Sequence, residues 1–250
     1  MTLKEFFAEH PRTALAFSGG VDSAYLLYAA IQCGAQVRAY YVKSAFQPQF
    51  ELDDARRLAR ELRADLRVLE ADALADPRVA ANPPDRCYYC KTGIFSAILS
   101  AARADGFTLL MDGTNASDDP GDRPGTRALR ELSVRSPLRE CGLTKSEIRR
   151  LSREAGLFTW DKPAYACLAT RIPTGEEITS DKLRQTEAAE DALRAMGFSD
   201  FRVRLFHGGA RLQVTGTQLP LLLERRQKVL NELKKHYDAV LLDLEVRNEQ

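Results

Sequence analysis

The stretch TALAFSGGVDSAYLLYAAIQC, residues 13–33, decides the fold class. It opens with TALAF, a short apolar run of the kind that forms a buried strand in a parallel sheet. Two adjacent glycines follow the run, and a helical pattern then continues to Gly34, a residue type that commonly ends helices. A strand, a tight turn and a helix in this order form the first half of a βαβ unit. The stretch therefore predicts an α/β fold.

The same alternation continues along the chain. Apolar runs predict strands and amphipathic patterns predict helices, with strands at 36–42, 65–70 and 107–111 and helices at 50–63 and 88–104. Because short loops join these segments, the strands should lie parallel in one twisted sheet that has helices on both faces. Thr144 and Glu147 form a capping-box pattern that predicts the start of a further helix.

The last part of the chain follows a different pattern. Two alternating runs, FRVRLFH and ARLQV, are joined by Gly208 and Gly209 and predict a β-hairpin. Two predicted helices and a predicted strand surround it, at 180–196, 218–235 and 238–244. We therefore predict two domains. Residues 1–175 form the parallel-sheet domain, and residues 176–250 form a small α+β domain for substrate binding or oligomerisation.

Composition limits the class of protein. The chain has 250 residues, enough for a core that needs neither a disulfide nor a metal for stability. Its 36 lysines and arginines against 35 aspartates and glutamates leave a net charge of +1, which argues against a general nucleic-acid binder. No run approaches 18 apolar residues and no secretory signal is recognisable at the start, so we expect a cytoplasmic protein without a membrane partner.

The hexapeptide SGGVDS, residues 18–23, has the features of a phosphate-binding loop. Two glycines allow a tight turn that exposes backbone amides at a helix N-terminus, where anions bind. Ser18 and Ser23 add hydroxyl donors, and Asp22 is a candidate ligand for Mg²⁺ near a phosphate. The loop is not a Walker A loop, because the lysine of that motif is missing. Its spacing alone is equally compatible with a turn that only connects a strand to a helix.

The segment DRCYYCK, residues 85–91, places Cys87 and Cys90 three residues apart. This spacing alone leaves metal ligation, redox chemistry, a disulfide and simple packing on a helix face open. A disulfide is disfavoured in a reducing cytoplasm. Two of the remaining cysteines, Cys33 and Cys141, are predicted to be packing residues.

Five segments together carry a resemblance to known proteins. SGGVDS matches the pyrophosphate loop of the ATP pyrophosphatase superfamily, whose fold is adenine nucleotide alpha hydrolase-like. With the other four, it closely resembles LarE-type sulfur transferases over nearly the whole chain. These four are NPPDRCYYCK (82–91), DGTNASD (112–118), VRSPL (134–138) and KPAYACLATRIPTGE (162–176).

The resemblance implies an ATP-dependent reaction on a small-molecule nucleotide. ATP is cleaved between its α- and β-phosphates, and a carboxylate of pyridinium-3,5-biscarboxylic acid mononucleotide is adenylated. Sulfur then replaces the carboxylate oxygen and gives a thiocarboxylate, a step in the assembly of the nickel-pincer nucleotide used by lactate racemase. The implied binding residues for ATP and Mg²⁺ follow the first, second and fourth strands: Ser18, Gly19, Gly20, Val21, Asp22, Ser23, Lys43, Ser44, Asp112, Gly113, Thr114 and Asn115.

The resemblance also assigns the cysteines. The sulfur-donating cysteine of the family lies in the segment that matches ACLATR, which makes it Cys167 here. Some members sacrifice this one sulfur, whereas others add a CxxC pair and hold a [4Fe–4S] cluster with three cysteines. Cys87, Cys90 and Cys167 therefore imply the cluster-bearing subtype. Three thiolates suit a cluster that keeps one iron open, whereas structural zinc sites need a fourth ligand.

Charged residues inside or near these segments are candidates for binding anions. Lys91 and Arg171 flank the cysteine segments and are predicted to stabilise negative charge that develops during acyl transfer. The polar side of the hairpin offers arginines for the substrate phosphate, namely Arg202, Arg204 and Arg211, with Arg123, Arg127 and Arg130 as second candidates. The alternative for each is a solvated surface charge. Gln213 stands where family members often carry an acidic residue.

Other functions remain open at this point. A tRNA thiolation enzyme of the same superfamily would need a basic RNA-binding surface, which the net charge of +1 does not favour. A non-catalytic adenylate-binding or cluster-carrier protein would bind ATP without releasing pyrophosphate. The resemblance implies a homo-oligomer, and the source of the sulfur is unknown.

Overall fold

The computed structural model describes residues 1–118 and 124–247. The helices in this part of the chain are α1 Leu3–Glu9, α2 Val21–Gln32, α3 Gln49–Glu61, α4 Pro77–Ala80, α5 Arg86–Ala104, α6 Pro124–Glu131, α7 Pro137–Glu140, α8 Lys145–Glu154, α9 Ser180–Ala195, α10 Leu219–Glu224 and α11 Arg226–Leu233. The strands are β1 Arg12–Ala16, β2 Gln36–Lys43, β3 Asp65–Glu70, β4 Leu110–Met111, β5 Arg202–Phe206, β6 Gly209–Gln213 and β7 Val240–Leu242. Within the same residues, no helix is both long and apolar enough to cross a membrane.

The chain divides into two compact units. The first contains Met1–Ala73 and Asp85–Lys162, and the second contains Leu74–Pro84 and Pro163–Gln250. The predicted domain boundary between residues 175 and 176 stays a prediction, and the second unit differs from it by starting earlier and by including the segment with α4.

The first unit contains a four-stranded parallel sheet in the order β3-β2-β1-β4. Successive residues of a strand point to opposite faces of a sheet. Leu15 and Tyr41 therefore pack on one face, in a core that α1, α2, α3, α7 and α8 complete. Ala14 and Tyr40 pack on the other face against α5 and α6. The predicted α/β fold with helices on both faces of a parallel sheet is confirmed.

The fourth strand is shorter than the predicted strand at 107–111. Phe107 does not pair with β1, because its backbone N–H donates to the carbonyl of Ala102 and so closes the C-terminal turn of α5. Gly106 supplies the positive φ, 80°, that this helix ending requires. Leu110 and Met111 pair with Ala14 and Leu15 of β1.

The strand order creates a topological switch point at the carboxyl end of β1. The chain proceeds from β1 to β2 and β3 on one side, whereas β4 lies on the other side of β1. In open α/β sheets the loops diverge at such a point and leave a crevice in which ligands bind. The segments that leave β1 and β4 here are SGGVDS and DGTNASD.

The second unit contains a three-stranded sheet in the order β5-β6-β7. β5 and β6 form the predicted hairpin, but its turn consists of His207 and Gly208, since Gly209 pairs with Phe206. Both turn residues have positive φ, 48° and 78°, as turns that match the twist of a hairpin require. Gly209 serves the strand instead, because a Cβ there would lie 2.9 Å from the Ala239 carbonyl oxygen.

The predicted helix at 218–235 is in fact two helices. Arg225, with φ −97° and ψ 12°, leaves the helical conformation between α10 and α11. Its guanidinium donates a hydrogen bond to the Met196 carbonyl at the end of α9.

Candidate functional site

The loop between β1 and α2 has the form of a phosphate-binding loop. Gly19 has a φ of 74°, and a Cβ at this position would lie 3.3 Å from the Ala55 Cβ of α3. Gly20 is the N-cap of α2. The first amides of a helix lack intrahelical acceptors and carry partial positive charge, so this turn is suited to bind an anion.

Two serine hydroxyls form hydrogen bonds within the loop. The hydroxyl oxygens of Ser18 and Ser23 lie 3.0 Å apart, and the Ser23 hydroxyl donates to the Gly20 carbonyl at 3.2 Å. The Gly20 N–H donates to the Ser18 hydroxyl at 3.3 Å. The hydroxyls therefore stabilise the conformation of the loop.

The loop that follows β4 lies directly against the start of α2. A Cβ on Gly113 would lie 2.8 Å from the Ser23 backbone nitrogen, so only glycine allows this approach. The neighbouring Asp112 carboxylate is largely buried and accepts hydrogen bonds from the hydroxyls of Thr114 and Ser136, at 2.5 and 2.7 Å. The structure thus brings residues predicted from two distant segments into one site.

Asp22 has two partners from distant parts of the chain. Its Oδ1 accepts from the Asn115 Nδ2 at 3.3 Å, and its Oδ2 lies 2.6 Å from the Lys145 ammonium. Asn115 was among the predicted ATP-binding residues, whereas Lys145 was missed. The capping box at Thr144 did place Lys145 in the first turn of a helix, but a lysine beside a cap has no feature that distinguishes it from a solvated charge.

Lys162 is a second residue that the sequence did not identify. Its ammonium lies 2.8 Å from the Asp54 carboxylate, 3.4 Å from the Glu51 carboxylate and 3.5 Å from the Gly19 carbonyl oxygen. Lys162 therefore links the phosphate-binding loop to α3. The only available signal was its position at the start of the KPAYAC segment.

Lys43 and Ser44 shape the loop at the carboxyl end of β2. The Lys43 ammonium donates to the Gln47 carbonyl. The Ser44 hydroxyl donates to the Gln47 side-chain oxygen at 2.7 Å and accepts from the Phe46 N–H at 3.1 Å. These two predicted ATP-binding residues share the carboxyl edge of the sheet with the phosphate-binding loop, and their role stays a prediction.

The CxxC pair lies in the first turns of α5. Cys87 is exposed and Cys90 is half-buried, and their spacing of three residues places both on one side of the helix. The guanidinium of the buried Arg86 donates to the Cys87 sulfur at 3.6 Å. None of the five cysteines, all of which the structure describes, forms a disulfide.

Cys167 lies in the second unit, at the start of a single 3-10 turn that spans Leu168–Arg171. Its carbonyl oxygen accepts from the Thr170 N–H at 3.0 Å and from the Thr170 hydroxyl at 2.8 Å. Within residues 1–118 and 124–247, no three His, Cys, Asp or Glu side chains are grouped as ligands of one metal ion. The three-cysteine ligand set stays a prediction.

The predicted anion-stabilising residues have different surroundings. The Lys91 side chain packs against Gly125 of α6, where a Cβ would lie 2.9 Å from its Cδ. On the same helix, Arg127 stacks at 4.0 Å over the ring of Tyr88. Arg130 lies in the last turn of this helix, and Arg123 lies outside the residues that the structure describes.

Arg171 is fully buried and bound by a carboxylate. Its guanidinium donates to both oxygens of Glu190, at 2.7 and 3.1 Å, and to the Ala166 carbonyl at 3.0 Å. Burial acts to raise the pKa of Glu190, but the hydrogen bonds and the charge of Arg171 outweigh it and leave this pKa below its ordinary value. The geometry favours a positioning role for Arg171, which holds the backbone next to Cys167. The predicted contact with reacting atoms stays a prediction.

The three hairpin arginines divide into two groups. Arg202 is buried and donates to the carbonyls of Ala164 and Phe201, and burial together with the nearby charges of Arg171 and Arg247 lowers its pKa to about 10. Arg204 and Arg211 lie directly opposite each other in the register of β5 and β6. Both line a cavity of about 500 Å³ in the second unit, together with Thr170, Thr174 and His207.

A carboxylate stands beside Gln213. The Gln213 amide oxygen accepts from the Arg204 Nε at 2.6 Å, and its amide nitrogen donates to Asp243 at 2.8 Å. Asp243 also lies 3.6 Å from the Arg211 Nε. A carboxylate from the segment after β7 thus lies next to Gln213, the position at which the resemblance led us to expect an acidic residue.

Comparison with known proteins identifies the family. No protein-family model matches the chain. The uncharacterized protein slr1717 of Synechocystis sp. is 37% identical over 219 residues, which cover 87% of this chain and 81% of that protein. The pyridinium-3,5-bisthiocarboxylic acid mononucleotide synthase of Lactiplantibacillus plantarum is 33% identical over 246 residues, 97% of this chain and 89% of that protein. The chain belongs to the LarE family of sulfur transferases.

This LarE-family chain is a sulfurtransferase enzyme. The resemblance inferred from the five segments is confirmed at the level of the family, whereas the three-cysteine subtype stays a prediction. The tRNA-specific 2-thiouridylase MnmA of Frankia alni is 28% identical over 189 residues, 61% of this chain and 53% of that protein. That partial match is consistent with the predicted phosphate-loop superfamily.

Proposed function

We propose that this LarE-family enzyme adenylates a carboxylate of pyridinium-3,5-biscarboxylic acid mononucleotide with ATP and converts it to a thiocarboxylate, in nickel-pincer nucleotide biosynthesis. The observation that carries the proposal is the loop Ser18–Ser23 at the topological switch point, with Gly113 against the start of α2 and Asn115 hydrogen-bonded to Asp22. The similarity of nearly the whole chain to a protein named as the synthase of the bisthiocarboxylic product supports the choice of substrate.

The first unit supplies the groups for ATP. The amides at the start of α2 and the hydroxyls of Ser18 and Ser23 bind the phosphates. The carboxylate of Asp22 suits Mg²⁺, which prefers oxygen ligands and is usually held by one or two carboxylates together with phosphates. A substrate carboxylate oxygen attacks the α-phosphorus, the bond between the α-phosphorus and the bridging oxygen breaks, and pyrophosphate leaves.

The second unit supplies a site for the substrate phosphate. Arg204 and Arg211 line a cavity of about 500 Å³, within the usual size range of small-molecule sites. Guanidinium groups bind phosphate oxygens in a bidentate manner. Arg202, the third predicted phosphate-binding arginine, donates to the carbonyls of Ala164 and Phe201.

Sulfur delivery is assigned to the three cysteines. Cys87, Cys90 and Cys167 would hold a [4Fe–4S] cluster, which when bound offers one iron without a protein ligand for a sulfide. Their donor chemistry fits, because none of the three is in a disulfide and Cys87 is exposed. The chemistry that the cluster would supply is a sulfide that displaces AMP from the acyl carbon of the adenylated substrate. Arg171 positions the Cys167 backbone, because it donates to the Ala166 carbonyl and to the Thr170 hydroxyl, which itself donates to the Cys167 carbonyl.

A second candidate function is tRNA thiolation, which the match to MnmA favours. That match covers 61% of this chain, whereas the match to the mononucleotide synthase covers 97%. A third candidate, an adenylate-binding or cluster-carrier protein, would not release pyrophosphate.

We expect AMP and pyrophosphate to form when the enzyme is incubated with ATP, Mg²⁺ and pyridinium-3,5-biscarboxylic acid mononucleotide. The substrate carboxylate is the group that accepts the adenylate, so neither product should form with ATP alone. Both products are measured by chromatography and a coupled pyrophosphate assay. AMP formation that responds to tRNA and not to the mononucleotide would support tRNA thiolation instead.

We expect Cys87→Ala to lose the cluster and repeated turnover. Wild-type protein purified without oxygen should contain about four iron and four sulfide per chain and absorb broadly near about 400 nm. The variant should contain little of either and form at most about one thiocarboxylate per chain, because only the Cys167 sulfur remains to be transferred. Cys33→Ala, an exposed cysteine of the same unit, is the matched control. Repeated turnover by Cys87→Ala would contradict the ligand assignment.

A further inference from the structure

Three exposed arginines lie in a row along α3 and the turn that follows it. Arg56, Arg60 and Arg63 are spaced by four and three residues, which places them on one side of the helix. In the part of the chain that the structure describes, none of the three forms an ion pair or a side-chain hydrogen bond. We call these three residues the arginine stripe. It presents positive charge that no carboxylate of the described residues compensates.

The stability of α3 does not explain the arginine stripe. Like charges three or four residues apart repel each other on a helix surface, so Arg60 is unfavourable beside both Arg56 and Arg63. Arg63 has a φ of 52°, in the left-handed region where glycine is the usual residue after a helix. One cation in the last turn would be enough to interact favourably with the helix dipole. Negative charge supplied by a ligand would remove the repulsion.

A groove with a volume of about 450 Å³ lies between the arginine stripe and β3. It is lined by Arg56, Ala59, Arg60, Arg63, Ala64 and Leu66. Leu66 is half-buried, and so is Val68, which points to the same face of the sheet. The groove is at the amino end of β3, whereas the phosphate-binding loop follows the carboxyl end of β1. Because these strands run parallel in one sheet, the groove and the loop are at opposite edges.

β3 is the last strand of its sheet. The order β3-β2-β1-β4 leaves the outer side of β3 without a strand partner among residues 1–118 and 124–247. An edge strand carries backbone N–H and C=O groups that can pair with an extended segment of another chain. Two charged side chains of β3, Asp65 and Arg67, are already paired with Arg38 and Asp105. These charges are therefore compensated and do not oppose a further strand.

We propose that the groove and the edge of β3 bind an extended acidic segment of a partner protein, which adds to the sheet as a further strand. Alternate side chains of such a segment repeat every ~7 Å. Arg56 and Arg60 are separated by a similar distance, ~6 Å, along the helix axis. Carboxylates on one side of the segment therefore meet successive guanidinium groups, which bind carboxylates in a bidentate manner.

A second copy of this chain does not fit the same surface. Antiparallel pairing of two β3 edges around a two-fold axis would place both copies of α3 on one face of the joined sheet. The two arginine stripes would then lie side by side, and like charges that face each other across an interface oppose association. An acidic partner has the opposite charge and removes this repulsion.

The test uses the full-length protein and a fluorescent peptide of alternating glutamate and valine residues. Arg56→Gln/Arg60→Gln should bind this peptide about tenfold more weakly than wild type, the loss expected for two exposed charge pairs. Arg150→Gln/Arg153→Gln removes the same charge from exposed positions of α8 and should bind it as wild type does. A peptide of the same sequence with N-methylated backbone amides should bind weakly, because it cannot donate hydrogen bonds to β3.

Fluorescence anisotropy measures the affinities, and hydrogen exchange with mass spectrometry should show slower exchange of the β3 amides when the peptide is bound. Failure of the peptide to bind wild type, equal affinity of the two double variants, or equal affinity for the N-methylated peptide would overturn the inference. Full competition by inorganic tripolyphosphate at the concentration of the peptide would assign the stripe to phosphate and overturn it too.

Sedimentation velocity tests the second copy as the occupant. Smaller oligomers of Arg56→Gln/Arg60→Gln than of wild type or of Arg150→Gln/Arg153→Gln would show that copies of this chain meet at the groove, and would overturn the inference. AMP formation by Arg56→Gln/Arg60→Gln should equal that of wild type, since the groove is at the edge of the sheet opposite to the phosphate-binding loop. Peptide binding by a protein that forms no AMP would support the inference and contradict the proposed function.

Discussion

We expect Cys167→Ala to abolish thiocarboxylate formation and to leave ATP affinity unchanged. The rate should fall on the order of 10³-fold or more, the scale seen when a residue essential to the transfer step is removed, because Cys167 is assigned either as a cluster ligand or as the sulfur donor. ATP affinity should persist because the groups around the phosphate-binding loop belong to the first compact unit, among them Ala55, Gly113 and Lys145. Cys167 belongs to the second unit.

Two measurements separate these effects. Thiocarboxylate is quantified by mass spectrometry after single and multiple turnovers, and ATP affinity is measured by equilibrium titration. Cys33→Ala is the control, since Cys33 is an exposed cysteine at the end of α2 and has no proposed role. Loss of ATP affinity in Cys167→Ala would contradict the division of roles between loop and cysteine, and retained sulfur transfer would contradict the assignment of the donor.

Glu190→Gln lowers the stability of the protein more than the other substitutions considered. The Glu190 carboxylate is 1% exposed and accepts hydrogen bonds from Arg171, from the Tyr165 hydroxyl at 2.6 Å and from the Val203 N–H at 3.0 Å. Removing one charge of a buried pair leaves the other uncompensated, at a cost of about 3–5 kcal/mol in the free energy of unfolding. For a chain of this size the midpoint of thermal unfolding should fall by about 10 °C.

Sulfur transfer should fall together with stability, even at temperatures where the variant is folded. Arg171 donates to the Ala166 carbonyl and to the Thr170 hydroxyl, which in turn donates to the Cys167 carbonyl. Without Glu190 the guanidinium loses the carboxylate that orients it, and the backbone at Cys167 loses its support.

Asp191→Asn, which removes an exposed ion pair with Arg194, is the control for stability and should change the midpoint of thermal unfolding by less than about 2 °C. An equal change in both variants would contradict the role of the buried pair.

The buried Arg171–Glu190 pair makes the free energy of unfolding depend on pH. Because the pKa of Glu190 in the folded protein lies below its ordinary value, the carboxylate contributes stability above its unfolded pKa, about 4.3. That contribution is lost as the pH falls below this value and through the folded pKa. Wild type should therefore lose stability on acidification below about pH 4.3 more steeply than Glu190→Gln, as urea titrations at several pH values would show.

The sequence by itself determined the layout of the first unit and the family. Short apolar runs separated by helical patterns predicted the parallel sheet, because strands buried on both faces need continuous apolar residues. The ends of β1, β2 and β3 lie within two residues of their predicted positions. SGGVDS predicted the loop between β1 and α2, since a glycine pair before a helix is a local feature of the chain.

Only the tertiary structure decided which side chains meet. The Lys145 ammonium contacts the Asp22 carboxylate although 123 residues separate the two in the sequence. The Gln213 amide donates to Asp243 at a separation of 30 residues. The burial of Arg171 against Glu190 is a further contact that no local pattern predicted. Propensity and spacing describe neighbours along the chain, whereas these contacts depend on how helices and strands pack. That packing is set by the shape of the whole core, and no local pattern records it.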